Sequence, residues 1–158
     1  MNKFISKISI KDIAIAMVIA IFFIADRWLK IIALEFAEKE PIRLVKGLFS
    51  FNFTENYYIA FSLPLTGPIL NISVLLIIIA LISYIIHLIW LKKDKLLIYL
   101  LTFILFGAIS NILDRFFYGY VIDYLELKYF TVFNIADIMI SGGAIITILC
   151  YSKKKTSK

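Results

Sequence analysis

The chain has 158 residues, 62% of them hydrophobic, and a formal net charge of +6. Soluble domains carry about 45–50% apolar residues, so a soluble globule of this length is excluded and a one-domain membrane protein spanning 1–158 is the expectation. The positive charge gathers in lysine clusters between and beyond the apolar runs, which is a topology signal and implies no basic groove for nucleic acid.

Segment one runs from Ile10 to Leu34, with Lys3, Lys7 and Lys11 before its apolar run. Its uninterrupted apolar run, Ile13 to Ala25, leads into Asp26, Arg27 and Lys30. A lysine-rich start before an apolar run also describes a cleaved leader, but no small-x-small site follows at the usual place, so a retained helix is expected. Ser9-Ile10-Lys11-Asp12 reads as a capping box at its start. An outer segment, about 35–67, then carries Phe49, Phe51 and Phe53 alternating with Ser50, Asn52 and Thr54. That period of two predicts a strand in a small sheet at the membrane surface.

Segment two, Pro68 to Leu91, has no formal charge; its lone His87 suits packing better than catalysis. Lys92, Lys93 and Lys95 separate it from segment three, Leu96 to Leu113, which is also uncharged. A second outer segment, about 115–131, is rich in Phe and Tyr. Segment four, about 132–151, has Asp137 as its only charge and meets a tail with Lys153, Lys154, Lys155 and Lys158. The single cysteine, Cys150, excludes an internal disulfide and suits inert packing. About 20 residues span a bilayer core as a helix, so four transmembrane helices are expected at about 10–34, 68–91, 96–114 and 132–151. The fold class is an all-α membrane protein with a small extracytoplasmic β-sheet and a second outer loop. The positive-inside rule places the lysine clusters and both termini in the cytoplasm. Gly107-Ala108 and Gly142-Gly143 suit close helix packing.

In this topology the polar residues of the spans converge at one depth. Asp26 and Lys30, four apart, share a face in the outer half of segment one. Asn111, Asp114 and Arg115 end segment three, Asn134 and Asp137 begin segment four, and Asp123 lies between them. Each has an ordinary reading: an ion pair for Asp26 and Lys30, an N-cap for Asn134 and Asp137, a solvated Asp123, a snorkelling Arg115. Their coincidence at the outer boundary points instead to a functional site, because ionisable groups within spans are rare. No Cys/His set supports zinc, Ser110 has no base beside it in sequence, and no glycine-rich phosphate loop is present. Two carboxylates sharing one proton remain, an arrangement suited to peptide hydrolysis by activated water.

The motifs resemble those of the bacterial lipoprotein signal peptidase family, signal peptidase II, over essentially the whole chain. "DRWLK" resembles its D-x-x-x-K motif at Asp26 and Lys30. "ENYYIAFS" resembles N-x-G-x-A-F at Asn56, Ala60 and Phe61. "FGAISNILDR" resembles G-G-A-x-G-N-x-x-D-R at Gly107, Asn111, Asp114 and Arg115. "GYVIDY" resembles G-x-V-x-D-F at Asp123, and "FNIAD" matches F-N-x-A-D at Asn134 and Asp137. Tyr58 stands where the family usually has glycine, Phe106 and Ser110 replace two further glycines, and Tyr124 replaces phenylalanine.

The resemblance implies an aspartic endopeptidase that removes the signal peptide of diacylglyceryl-modified prolipoproteins, cutting before the lipidated cysteine at the outer face of the cytoplasmic membrane. It implies Asp123 and Asp137 as the catalytic pair, with Asp26, Lys30, Asn56, Asn111, Asp114, Arg115 and Asn134 binding substrate or supporting the site. No metal or cofactor is expected. The partners expected are the prolipoprotein and membrane lipid, with the protein a monomer. The competing readings are a small proton-coupled transporter or relay subunit, and an inactive scaffold of the same fold.

Overall fold

A computed structural model describes residues 9–58 and 67–156. Ala60 and Phe61 of the second motif lie outside them. Among the described residues four helices form: α1 (Ile10–Leu34), α2 (Gly67–Trp90), α3 (Lys95–Tyr118) and α4 (Ile135–Thr156). Among the described residues, three stretches, Gly67–Trp90, Lys95–Tyr118 and Ile135–Ser152, are long and apolar enough to cross a membrane. The helices turn apolar side chains outward, as Ile21 and Ile24 of α1 and Ile77 and Ile86 of α2 do. This suits lipid rather than water as the neighbour.

The start of α1 is the expected capping box: Asp12 N–H donates to Ser9 Oγ (3.2 Å), and Ser9 N–H donates to Asp12 Oδ2 (2.9 Å). α3 is longer than expected. It runs on through Asp114, Arg115 and the Phe116-Phe117-Tyr118 run until Gly119, whose φ of 85° ends it in the left-handed region. α4 is shorter at its start than expected, because Thr131–Phe133 form a strand and the helix begins at Ile135. The second outer segment is therefore half of a sheet rather than a loop.

The helices pack where side chains are small or aromatic. A Cβ on Gly107 would lie 2.6 Å from the Ala136 carbonyl oxygen, so glycine lets α3 touch the first turn of α4. Gly143 likewise admits Ile104, whereas a Cβ on Gly142 would meet nothing within 4 Å, so that glycine has no packing role. Phe22 meets Phe103 and Phe23 meets Phe106 edge to face between α1 and α3.

The sheet is antiparallel throughout, in the order β1 (Ile42–Val45), β2 (Phe49–Asn56), β3 (Val121–Leu127), β4 (Thr131–Phe133). Its β2–β3 seam joins the two outer segments. Phe51 pairs with Leu125 but Thr54 pairs with Asp123, so three steps along β2 answer to two along β3. A one-residue slip exchanges the faces of a strand. The bulge thereby places Asn56, opposite Val121, on the same face as Asp123. The expected alternation of Phe49, Phe51 and Phe53 is present as a strand, with Phe51 buried against Ala33, Ile122 and Tyr124 beneath the sheet.

Candidate active site

Asp123 comes from β3 and is 2% exposed. Asn56 Nδ2 donates to its Oδ2 (2.9 Å) and Asn134 Nδ2 donates to its Oδ1 (2.7 Å). Asp137 is the third residue of α4. Asn111 Nδ2 donates to its Oδ1 (2.8 Å), and the Asn134 N–H donates to its Oδ2 (3.2 Å). Asn134 Nδ2 also donates to Asn111 Oδ1 (3.2 Å). The two carboxylates are thus joined through a pair of asparagines, one from α3 and one from the cap of α4. The capping role of Asn134 is also real, since Asp137 N–H donates to its Oδ1 (2.8 Å).

Beneath the pair lies a buried ionic layer. Lys30 Nζ contacts Asp114 Oδ2 (2.7 Å), Asn111 Oδ1 (2.8 Å) and Asp26 Oδ2 (3.1 Å), with no exposed side-chain surface. That uses all three ammonium donors. Asp26 accepts from Ser110 Oγ (2.6 Å) as well, and from Tyr124 Oη (2.9 Å) and the Ala136 N–H (3.1 Å). Asp114 accepts from the Ile122 N–H (3.2 Å) and pairs with Arg27. Arg27 also donates to the Ser110 carbonyl (3.1 Å). Lys30, Asp26 and Asp114 are each both ion-paired and hydrogen-bonded, the combination that buried ionisable groups require.

Arg115 points away from this layer. Its Nη2 donates to the Tyr58 carbonyl (2.6 Å), while Tyr58 N–H donates to Asn56 Oδ1 (3.0 Å). In place of the ordinary snorkelling reading, Arg115 makes a contact that holds the end of β2. Tyr58 stands at the glycine position without a left-handed backbone; among the described residues the non-glycine positive φ values fall at Lys92 and Tyr129.

A cavity of about 640 Å³ opens here, with Asn56, Asn111, Arg115 and Asp137 as its polar wall and Val74, Ile112, Phe130, Phe133 and Ile140 among its apolar ones. Asp123 is joined to that wall through Asn56. Burial first, then the neighbouring Asp137, push the Asp123 carboxyl up to about 7, against the lowering effect of Asn56, Lys30 and Asn134. Among the described residues no three His, Cys, Asp or Glu side chains converge as a metal site would require.

All the expected polar residues except Arg115 thus join one hydrogen-bonded unit, and Arg115 braces its edge. Arg27, Ser110 and Tyr124 belong to the unit but carried no expectation of a site role. Ser110 lies four positions before Asp114, a same-face signal; Tyr124 has no such local signal, because its partners come from α1 and α4.

Membrane-length helices whose ends share a carboxylate layer define a multi-pass membrane protein. The family described as Signal peptidase (SPase) II matches residues 18–153, and the chain belongs to it. A lipoprotein signal peptidase from Clostridium acetobutylicum is 35% identical, over 90% of this chain and 97% of its own. That of Clostridium novyi is 35% identical, over 82% and 91%, and that of Syntrophomonas wolfei 38%, over 72% and 76%. A bacterial membrane enzyme solved by the in meso method at 2.3 Å resolution shares the fold, with a TM-score of 0.78 over 92% of this chain and 91% of its own at 21% identity. The protein is accordingly a peptidase of the aspartic type.

Proposed function

We propose that the chain removes signal peptides from diacylglyceryl prolipoproteins with Asp123 and Asp137 as its catalytic pair. Family membership supports the reaction. The observation that carries the residue assignment is the asparagine bridge between the two carboxylates at the wall of the cavity. Asp123, whose proton is held up to about pH 7, is the acid that protonates the scissile carbonyl oxygen. Asp137 is the base that takes a proton from the attacking water. Collapse of the tetrahedral intermediate breaks the C–N bond, and the leaving amine receives a proton from the pair. Asn111 and Asn134 orient the two carboxylates. Lys30 and Asp26 brace them from below, with Asp114 fixing Lys30, while Asn56 and Arg115 border the cavity that receives the peptide.

In this reading α1 is the fourth transmembrane helix. It packs on α3 and α4, and its buried charges Asp26 and Lys30 point inward. Both termini are cytoplasmic, the dyad lies at the outer boundary of the bacterial cytoplasmic membrane, and residues 1–158 form one monomeric domain surrounded by lipid. The test is cleavage of a diacylglyceryl prolipoprotein in detergent by Asp123→Asn and Asp137→Asn, each expected to lose about 10²–10⁴-fold in rate. Cleavage near the parent rate by either would remove that residue from the pair. Single cysteines at Lys93 and Lys128, in a Cys150→Ser background, test the topology. A membrane-impermeant thiol reagent added outside should modify position 128 and spare position 93.

A further inference from the structure

We propose that Tyr124 is a positioning residue for the carboxylate pair, its hydroxyl setting where Asp137 stands relative to Asp123. The inference rests on the peptidase reading above.

The first four N–H groups of a helix have no partner within it. At the start of α4 each has a side-chain acceptor. Asn134 N–H donates to Asp137 Oδ2 (3.2 Å) and Asp137 N–H to Asn134 Oδ1 (2.8 Å). These two bonds close the turn on itself. Ile135 N–H donates to Tyr124 Oη (3.1 Å) and Ala136 N–H to Asp26 Oδ1 (3.1 Å). These two tie the turn to β3 and to α1. The Tyr124 hydroxyl in turn donates to the same Asp26 oxygen (2.9 Å), closing a three-way junction of β3, α1 and α4.

Neighbouring residues of a strand face opposite ways. β3 therefore presents Asp123 to the asparagine bridge on one face and Tyr124 to the junction on the other. The backbone that positions one carboxylate also holds, through a single oxygen, the helical turn that carries the second. Tyr124 has no exposed surface, and its ring packs on Phe51 at 5.6 Å between centroids. Burial and the adjacent Asp26 raise its pKa, so the hydroxyl remains a donor at working pH.

Tyr124→Phe removes that oxygen and keeps the ring. Misplacement of a reacting group by about 1 Å costs on the order of 100-fold, so kcat should fall about 10- to 100-fold with KM little changed. The alkaline limb of the pH–rate profile should also move, because the coupling of the two carboxylates depends on their separation. Ile135→Pro provides the second arm. Proline suits the first helical position and removes the N–H that Tyr124 accepts. In that background Tyr124→Phe should cost much less than it does alone.

Parental kcat in Tyr124→Phe would overturn the proposal, and so would independent, multiplicative effects of the two substitutions. Thermal unfolding in detergent separates a structural role. A kcat loss that accompanies a lower Tm while the pH profile stays parental would make Tyr124 merely structural. Cleavage by the parent protein in the same assay is the check on the peptidase reading, whose failure would show there and not as a difference between variants.

Discussion

Two polar clusters join α1 to α3, one at each end of α1. At the end that carries Asp123 and Asp137, Lys30 meets Asp114 at 2.7 Å, and neither side chain has exposed surface. Near the amino-terminal end Lys95 meets Asp12 at 2.9 Å, with Tyr99 on the same carboxylate, but the Lys95 side chain is 56% exposed. The helices and the ion-pair chemistry are the same and the distances are similar. Burial is the difference. Exposed pairs are screened and gain little over hydrated ions. A buried charge has no such fallback, and losing its partner is strongly destabilising. The Asp12 cluster therefore fastens a helix end, whereas the Lys30 cluster sets the shape of the site above it.

The largest effect expected from breaking this contrast is in Lys30→Met, which leaves Asp26 and Asp114 buried with one cation fewer. Removing one partner of a buried pair costs about 3–5 kcal/mol; a large drop in thermal stability in detergent and loss of cleavage should follow. A variant that unfolds and cleaves like the parent would show that the layer is not a unit.

A smaller effect is readable in pH. Asp123, raised to about 7 by burial and then by Asp137, should lose its proton through that range, so kcat/KM should decline above about pH 7. Asn56 lowers this pKa by donating to the carboxylate. Asn56→Leu should therefore move the alkaline limb upward, by up to about one unit. A downward shift would contradict the assigned role of Asn56. The same group acts on stability. An unfolded aspartate releases its proton near pH 3.9, whereas native Asp123 keeps it to about 7. The contribution of this proton to stability is complete below about pH 3.9 and is lost as pH rises through 7, the unfolded chain binding fewer protons across that window. Denaturation midpoints at pH 5 and pH 8, for the parent and for Asp123→Asn, measure it.

The smallest effect is expected at the other cluster. Lys95→Ala should leave the cleavage rate at the parental value and shift the unfolding transition little. A loss of activity there would mean that the two ends of α1 are coupled through the bundle.

The four helices and the strand at Phe49–Phe53 were readable from local pattern, the helices as long apolar runs and the strand as a period of two. The capping box at Ser9 and Asp12 was readable for the same reason: its bonds span three positions. The start of α4 was misplaced because Thr131–Phe133 is apolar enough to continue a helix and becomes a strand only by pairing with β3. Arg27, Ser110 and Tyr124 were given no site role because their hydrogen-bond partners come from other elements, 83 or more residues away apart from Ile135, which is 11 from Tyr124.

The sequence by itself determined which groups are charged, that apolar spans surround them and, through its motifs, the family to which they belong. Tertiary structure alone decided how those groups are wired. The β2 bulge puts Asn56 on the face of Asp123, Gly107 lets α3 reach the first turn of α4, and Tyr124 links that turn to Asp26. Each depends on two elements meeting in one register. A register of that kind is set by packing across the whole fold, where no short stretch of residues records it.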